Sequence, residues 1–409
     1  MHFWYKLLTY LLYPFLNIYL IFRKLRKKEH PSRYKEKLSN ITIDRSKGFL
    51  IWFHVASVGE GLSILPLVRK FEKDEKIQKI LITSITLSSS EVLKKKLSKN
   101  IKIIHQFLPF DVPKFVNKFL NHWSPNLAIF IDSEIWPNLI FEIKKRKIPL
   151  LLVNGRITKK SFKKWNLLNK FSKKVFEKFD LCISSNKDTE NYLKILGAKN
   201  IKNFGNLKFS NTTENADEKL ETSVVDKISN RKIWCAASTH STEEYFCAQT
   251  HLILKSAYKN ILTIVIPRHI NRVKKIEKEL LKLKLNVIFY SDLNKLNSET
   301  DILLVDVYGE TSKFFNISKS VFLGGSLIKH GGQNPIEPSR YGSKIFHGPH
   351  INNFTEIYQY LKSLDTTQNV NTPDELASAL TKEFTSKKLV NIKIAEKINN
   401  YGSEILNKV

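Results

Sequence analysis

Short apolar runs alternate with amphipathic segments along most of the chain, and this alternation constrains the fold more than any other feature. Strands that alternate with helices of about 10–15 residues are typical of βαβ units and parallel sheets. Right-handed crossovers bring the carboxyl ends of the strands, and with them the functional loops, to one rim of each sheet. The sequence therefore predicts an α/β protein, with strands at residues 49–54, 80–84, 101–107, 127–131, 149–153, 181–184, 201–204, 233–237, 261–266, 287–290, 302–305, 321–323 and 344–346.

Length and net charge limit the number of domains and the kinds of binding partner. The chain has 409 residues, 42% of them hydrophobic, which is enough for two domains with large cores. Its 67 Lys and Arg against 38 Asp and Glu leave a net charge of +29. Such a balance favours polyanionic partners, or it reflects a chain generally rich in Lys, Ile and Asn. The three cysteines lack CxxC spacing, and no HExxH, Walker A or Asp-x-Asp motif occurs, so neither a disulfide framework nor a metal site is indicated.

A polar, acidic stretch divides the chain. Residues 210–232 contain no strand-like run and are interpreted as a linker. The predicted domains are residues 31–209 before it and residues 233–385 after it. Residues 386–409 form an amphipathic C-terminal segment, which could cross back to the first domain.

The first 30 residues form a separate segment. Residues 3–22 are almost entirely apolar and are followed directly by a basic cluster at residues 23–28. At about 20 residues the apolar run is just long enough to span a bilayer, and Pro14 would kink it. Three readings remain open: a spanning helix, a helix lying in the membrane interface, or a core helix of a soluble protein. In either membrane form the basic flank predicts a cytoplasmic location for the rest of the chain.

An ordered set of turn residues lies in residues 320–354. In it, Asn334 suits the N-cap of a helix and Pro335 its first position, so free backbone N–H groups there would favour an anion. Glu337, one turn further, could accept hydrogen bonds from two sugar hydroxyls. The alternative is an ordinary α/β turn. The glycines of the set are Gly324, Gly325, Gly331 and Gly332.

Two loops of the first half carry glutamates after apolar strands. Ser57 and Glu60 have the spacing of a capping box, and Glu60 could equally act as a general base at the sheet rim. Glu134 either faces a substrate or belongs to a plain helix start capped by Asp132 or Ser133. In the second half, Arg268 is either a phosphate ligand or a surface arginine at a strand end.

These motifs, taken together, resemble those of the Kdo transferases, which move 3-deoxy-D-manno-octulosonic acid. The resemblance implies a GT-B glycosyltransferase fold, with two Rossmann-like domains facing a central cleft. It also implies transfer of Kdo from CMP-Kdo to a lipid A precursor (lipid IVA) at the cytoplasmic face of the inner membrane. No cofactor, metal or nucleic-acid partner is expected. One departure is Gln333, which stands where the family usually has His. The matching segments are HVASVGE at 54–60, GGSL at 324–327, GGQNPIEP at 331–338, HGP at 347–349 and NF at 353–354.

The resemblance also implies roles for individual residues. Glu60 would be the catalytic base, and Glu134 would bind acceptor hydroxyls or support the base. The acceptor phosphates or the Kdo carboxylate would meet Ser57, Gly59, Arg156 and Lys208. The nucleotide sugar would meet Pro267, Arg268, His269, Gly324, Gly325, Ser326, Gly332, Asn334, Pro335, Glu337, Gly348, Asn353 and Phe354.

Two other functions are alternatives for this sequence. Another GT-B enzyme, using a UDP-sugar on a lipid acceptor, would share the fold and the membrane segment. A non-enzymatic basic protein that binds nucleic acid or membrane would need basic residues interleaved with exposed aromatics, and the sequence shows no such pattern.

Overall fold

The computed structural model describes residues 1–97, 101–211, 219–385 and 392–409. These residues form two compact units, Met1–Asn211 with Tyr401–Val409, and Thr212–Asn400. Each unit is built on a seven-stranded sheet in which every strand pairing is parallel. The α/β class expected from the alternating apolar runs is therefore confirmed.

The first sheet has the strand order β3-β2-β1-β4-β5-β6-β7. Its central strands are apolar on both faces because helices cover both, and β1 is buried along its whole length. The core beside it is aromatic: the Trp52 ring lies 5.0 Å from that of Phe119 and 5.3 Å from that of Phe130. The strands are β1 Leu50–His54, β2 Lys79–Ser84, β3 Ile103–Phe107, β4 Leu127–Ile131, β5 Leu150–Gly155, β6 Leu181–Ser184 and β7 Ile201–Asn203.

Nine α-helices surround this sheet in the described part of the first unit, with 3-10 turns at Arg33–Leu38 and Leu207–Ser210. They are α1 His2–Leu25, α2 Val58–Ser63, α3 Leu65–Glu72, α4 Leu87–Leu97, α5 Pro113–Trp123, α6 Pro137–Lys145, α7 Lys159–Leu167, α8 Asn169–Phe176 and α9 Lys187–Leu196.

The second sheet has the order β10-β11-β9-β8-β12-β13-β14. Its strands are β8 Lys232–Thr239, β9 Ile261–Pro267, β10 Val287–Phe289, β11 Ile302–Leu304, β12 Ser320–Leu323, β13 Lys344–His347 and β14 Thr367–Asn369. The helices of this unit are α10 Thr222–Ile228, α11 Glu243–Ala257, α12 Val273–Lys282, α13 Thr311–Ile317, α14 Ile336–Arg340, α15 Thr355–Ser363 and α16 Pro373–Thr385. The last helix of the chain is α17, Ile392–Lys408.

The structure differs from the sequence-based expectations in a few places. Edge strand β14 was not predicted, because its three polar residues carry no apolar pattern. The stretch interpreted as a linker, residues 210–232, contains α10, which buries Val224 and Ile228, while residues 212–218 lie outside the described residues. Residues 386–391 of the predicted C-terminal segment also lie outside them.

Helix α1 lies against the first unit along one face. The His2 ring stacks on Phe141 of α6 at 3.8 Å, and the Tyr13 ring lies 5.3 Å from Phe115 of α5. Near the other end Leu20 is completely buried. The helix continues through Pro14, and by length and composition alone it could cross a membrane. Its opposite face exposes large apolar side chains, namely Phe3, Trp4, Leu8, Leu11, Phe15, Ile18 and Phe22.

Candidate active site

The topology of each sheet marks one place for a site. In the first sheet β1 and β4 are neighbours, and the strand order runs in opposite directions from them. In the second sheet β8 and β12 hold the same position. Ligands of open α/β sheets bind outside the carboxyl ends of the strands at such a switch point. The loops after β1, β4, β8 and β12 are therefore the candidate site loops, and they contain most of the residues singled out in the sequence.

Glu60 follows β1 in the first turn of α2. Its Oε2 accepts a hydrogen bond from the Ala56 backbone N–H at 2.7 Å, and its Oε1 accepts one from the Ser57 hydroxyl at 2.9 Å. The Ser57 oxygen in turn accepts the Glu60 N–H at 3.3 Å. The predicted capping box is thus formed. It does not exclude a role as base, because it fixes a partly exposed carboxylate at the switch point.

The surroundings of Glu60 raise its pKa to about 7. Burial is the largest cause, followed by the negative charge of Asp132, and Glu134 adds a smaller contribution. The hydrogen bonds from Ala56 and Ser57 oppose the shift, because they favour the charged form. A carboxylate with a pKa near the working pH is well matched to general-base catalysis.

Glu134 lies after β4 on the same rim and is held by two ring nitrogens. Its Oε2 accepts the Trp136 indole N–H at 2.9 Å and lies 3.1 Å from Nε2 of His54. His54 is fully buried at the end of β1, and its Nδ1 lies 3.0 Å from the Thr83 hydroxyl. The loop is not a helix start capped by Asp132 or Ser133, since α6 begins only at Pro137 and its N-cap residue is Trp136.

Asp132 instead contacts residues at the end of β5 and in the 3-10 turn Leu207–Ser210. The residue has φ of +55°, and its buried carboxylate accepts a hydrogen bond from Asn154 Nδ2 at the end of β5. Lys208 Nζ lies 3.6 Å from its other oxygen. The Arg156 N–H donates to the Asp132 carbonyl at 3.1 Å. The predicted acceptor-binding residues Arg156 and Lys208 are therefore brought to the switch point with Glu134.

Gly59 faces open space beside Glu60. A Cβ added at Gly59 would meet no atom within 4 Å, and the residue is exposed. Packing therefore does not require glycine at this position. The surface of α2 at Gly59 is therefore open.

In the second unit a buried glutamate occupies the glycine turn after β12. Glu243, completely buried at the start of α11, accepts the Gly325 N–H through Oε2 at 2.7 Å. Its Oε1 accepts the N–H groups of Ser326 and Leu327, each at 3.0 Å. The His240 N–H also donates to Oε2, at 2.9 Å. These backbone N–H groups are therefore hydrogen-bonded within the protein, and a role of Gly324, Gly325 and Ser326 in nucleotide-sugar binding stays a prediction.

Ser326 and Gly348 serve the packing of the same turn. Ser326 is fully buried; its hydroxyl donates to the Leu323 carbonyl and accepts the Gly348 N–H at 2.8 Å. A Cβ at Gly348 would lie 2.4 Å from the Ser326 carbonyl oxygen. The Gly332 N–H donates to the Gly325 carbonyl at 2.8 Å. The Ser326 hydroxyl is therefore used within the turn, and the contact of Ser326 with a nucleotide sugar stays a prediction.

The helix after the second glycine pair differs from the prediction by one position. Helix α14 begins at Ile336 and has only five residues, with Pro335 at the N-cap position. Asn334 lies outside it, exposed, and its Oδ1 accepts the Ile336 N–H at 3.2 Å. Glu337 lies in the first turn of α14, and part of the residue is exposed. Burial of its carboxyl raises the pKa of this group, and the positive charge of Arg340 opposes the shift. Binding of an anion at this helix start stays a prediction.

Three histidines and an arginine gather where β8, β9 and β12 end. The His240 ring lies 4.4 Å from that of His330 and 5.9 Å from that of His269. Its Nε2 is 3.4 Å from the Gln333 amide nitrogen. Burial, and then the neighbouring histidines and Arg268, lower the pKa of His240 to about 4. Arg268 and His269 follow Pro267, the last residue of β9, and both are exposed.

Asn353 and Phe354 close this side of the rim. The Asn353 side-chain amide donates to the His330 carbonyl at 3.1 Å, and its backbone N–H donates to the Gly331 carbonyl at 3.0 Å. Phe354 is the N-cap residue of α15 and is half-buried. The segment after β13 therefore holds the second glycine pair in place beside the histidines.

Sequence reasoning missed Glu243, His240 and His54. Glu243 and His240 have their partners across the rim, Gly325 and Gln333, more than 80 residues away along the chain. Their only signal was position, after the first strand of the second sheet. Among residues 1–97, 101–211, 219–385 and 392–409, no group of three or more His, Cys, Asp or Glu side chains could hold a metal ion.

Comparison with known proteins identifies the family. A family model described as 3-deoxy-D-manno-octulosonic-acid transferase (kdotransferase) matches residues 30–211. A 3-deoxy-D-manno-octulosonic acid transferase of Haemophilus influenzae is 31% identical over 87% of this chain and 83% of its own length. One from Rickettsia bellii is 33% identical over 92% of this chain and 89% of its own.

A solved structure shares the fold. The UDP-GlcNAc 2-epimerase of Neisseria meningitidis, bound to UDP-GlcNAc, covers 88% of this chain and 100% of its own with a TM-score of 0.60 and 13% identity. Together with the two parallel sheets, this likeness confirms the expected GT-B fold. The chain therefore belongs to the 3-deoxy-D-manno-octulosonic acid (Kdo) transferase family and is a glycosyltransferase.

Proposed function

We propose that this glycosyltransferase moves Kdo from CMP-Kdo to a lipid A precursor, with Glu60 as the general base and without a metal. One observation carries the proposal: a partly exposed carboxylate, oriented by Ala56 and Ser57, stands at the switch point of the first sheet with a pKa of about 7. The family relationship supports Kdo as the group transferred.

The reaction needs one proton acceptor and one stabiliser of a leaving phosphate. A hydroxyl of the lipid attacks C2 of Kdo and transfers its proton to Glu60, while the bond between C2 and the phosphate oxygen of CMP breaks. The electron pair of that bond leaves with CMP, whose phosphate gains negative charge. Preorganised cationic or N–H donors lower the energy of such a leaving group.

The second unit supplies groups suited to the donor. Arg268 is exposed at the end of β9 and can pair with a phosphate in two hydrogen bonds. His269 and His330 lie beside it around His240. The carboxylate of Glu337, in the first turn of α14, remains the proposed partner of the ribose hydroxyls. The N–H groups of Gly325 and Ser326 donate to Glu243.

The first unit supplies groups suited to an acidic acceptor. Arg156 and Lys208 stand at the switch point, Lys208 within 3.6 Å of Asp132. A phosphorylated lipid would bring its phosphates toward such cations. The open space beside Gly59 would admit the sugar hydroxyl that Glu60 deprotonates.

A lipid acceptor requires access to a membrane surface, and α1 suits an interfacial position better than a spanning one. Its side chains at His2, Tyr5, Tyr13 and Leu20 all contact the first unit, so one face is already covered over five turns. Crossing the bilayer would strip these contacts. The opposite apolar face would lie in the interface with the basic residues 23–28 near the head groups, on the cytoplasmic side.

The test is Kdo transfer from freshly generated CMP-Kdo to a tetraacylated lipid A precursor in detergent. We expect Glu60→Gln to stay folded, because Gln can still accept a capping hydrogen bond, and to lose about 100- to 10,000-fold in rate. Glu75→Gln, an exposed glutamate of the same unit, is the matched control and should retain activity.

Two results would overturn the proposal in different ways. Normal transfer by Glu60→Gln would make Glu60 structural and Glu134 the next candidate. A wild-type chain that makes no product from CMP-Kdo but uses a UDP-sugar would refute the donor. Thermal melting recorded in parallel separates a lost base from a lost fold.

A further inference from the structure

The corner between α7 and α8 exposes leucines that the core does not use. Leu167, at the end of α7, is 84% exposed, and Leu168, which joins the two helices, is 41% exposed. Aromatic residues pack the inner side of the corner against the core. Phe171 and Phe176 are buried there, and Trp165 packs beside them. Leu167 therefore contributes little to the packing of the first unit, and Leu168 contributes only with part of its side chain.

The same corner is strongly basic. No Asp or Glu occurs between residues 143 and 176. The lysines of the two helices are all exposed, so their charges surround the leucines on the solvent side. They are Lys159, Lys160, Lys163, Lys164, Lys170, Lys173 and Lys174. Leucines ringed by lysines match the interface of an anionic bilayer, where apolar side chains enter the acyl boundary and ammonium groups meet phosphates.

The corner also adjoins α1. The Tyr5 ring of α1 lies 6.1 Å from the Phe171 ring of α8, three residues beyond Leu168. The exposed face of α1 begins beside it, with Phe3 and Trp4 each 67% exposed. The first turns of α1 and the start of α8 are therefore in contact within the first unit.

We propose that the α7–α8 corner is a second membrane contact, which inserts Leu167 and Leu168 among anionic phospholipid head groups. This inference rests on the proposed function, in which a lipid acceptor brings the enzyme to a bilayer. Two contacts would hold the first unit in one orientation, whereas α1 alone would leave it free to roll about the helix axis. Attraction between the lysines and the lipid would weaken with salt.

The test places a fluorophore at the corner. Leu167→Cys is labelled with an environment-sensitive dye, and the native cysteines Cys182, Cys235 and Cys247 are all buried, so the label goes to the new thiol. The full chain is added to vesicles of phosphatidylcholine alone or of equal parts phosphatidylcholine and phosphatidylglycerol. The matched control is Leu281→Cys, a 53% exposed leucine of α12.

We expect the Leu167 probe to shift its emission to shorter wavelength with the anionic vesicles and not with phosphatidylcholine alone, and the Leu281 probe to stay unchanged. The double variant Leu167→Glu/Leu168→Glu should fold normally, because neither side chain is buried, and should bind anionic vesicles about tenfold more weakly.

Two outcomes overturn the inference. One is a Leu167 probe whose emission stays that of the free protein while the chain is bound to vesicles. The other is a shift that already occurs without vesicles, which would make the corner a contact between copies of the chain. The vesicles contain neither donor nor acceptor, so a failure of Kdo transfer in detergent leaves this result readable and refutes the proposed function alone.

Discussion

Glu243 Oε2 lies 2.7 Å from the backbone nitrogen of Gly325, so a buried side chain of the chain itself occupies the turn that resembles an anion site. Its two oxygens accept four backbone N–H groups from two loops, those after β8 and β12. Glu243 is therefore a positioning residue: it ties the glycine turn to the segment that carries His240.

Replacing Glu243 by Gln should loosen this turn. An amide has one acceptor oxygen instead of two, and its NH2 group would face N–H donors. A buried N–H left without a partner costs about 1–3 kcal/mol, so we expect a loss of that size in the free energy of unfolding, together with weaker CMP binding. Chemical denaturation and titration with CMP measure the two effects. Glu299→Gln, an exposed glutamate of the same unit, is the control, and unchanged CMP affinity in Glu243→Gln would contradict the positioning role.

The pH dependence of transfer follows from the Glu60 environment. Glu60 must be deprotonated to act as base, so we expect the wild-type rate to rise with pH through an apparent pKa near 7. Glu134→Gln removes a negative charge that raises the pKa of Glu60, and should move this rise to lower pH in whatever activity the variant retains. A rise that stays in place in Glu134→Gln would show that the two carboxylates do not interact.

The free energy of unfolding should also depend on the raised pKa of Glu60. The folded pKa of Glu60, about 7, lies above its ordinary value of 4.5, so the stability from its tighter proton binding is fully present below pH 4.5. That contribution is lost as the pH rises through 7. Glu60→Gln cannot titrate, so its melting temperature relative to wild type should be higher at pH 8 than at pH 5. An equal difference at both values would mean that Glu60 titrates normally.

Gly59→Ala tests whether a substrate approaches α2. Its methyl group would meet no protein atom within 4 Å, and Ala favours a helix over Gly by about 0.5–1 kcal/mol, so the variant should be at least as stable as wild type. If the acceptor hydroxyl passes over Gly59 to reach Glu60, transfer should fall by about 10- to 100-fold. Gly61→Ala, whose methyl would face Leu93 at 3.3 Å inside the unit, is the comparison. Normal transfer by Gly59→Ala would place the acceptor elsewhere.

Much of this arrangement was predictable because local patterns encode it. The buried strands are continuous apolar runs, and Ser57 with Glu60 has the spacing of the capping box that forms. Strand β14 escaped prediction because Thr367–Asn369 is short and polar at a sheet edge. Asn334 and Pro335 were placed one position too far into the helix, since either could serve as its start.

The partners of buried polar groups could not be predicted. Glu243 meets Gly325 across 82 residues, and His54 meets Glu134 across 80. The strand order of each sheet brings each pair together at the rim of its own sheet. No local sequence pattern predicts which loop a carboxylate will contact. The raised pKa of Glu60 likewise depends on Asp132, which belongs to another strand end.

The packing of α1 against the rest of the first unit gives a last prediction. Tyr5 donates a hydrogen bond to Asp111 Oδ2 at 2.9 Å, and the Asp111 carboxylate also accepts the N–H groups of Asn138 and Leu139 at the start of α6. Tyr5→Phe keeps the ring but removes the donor. A hydrogen bond to a charged group contributes about 1.5–3 kcal/mol, so we expect the first turns of α1 to exchange their amide hydrogens faster.

The effect should depend on pH. Burial raises the pKa of Asp111 to about 6, above its ordinary 3.8, so the stability from its tighter proton binding is lost as the pH rises through 6. The hydroxyl of Tyr5 favours the ionised form, and its removal should therefore cost more at pH 8 than at pH 5. Hydrogen exchange at the two pH values measures this, with Tyr10→Phe, a 44% exposed tyrosine of the same helix, as control. Equal exchange in Tyr5→Phe and wild type at pH 8 would show that Asp111 does not hold α1 on the unit, and would reopen the possibility that the helix spans the membrane.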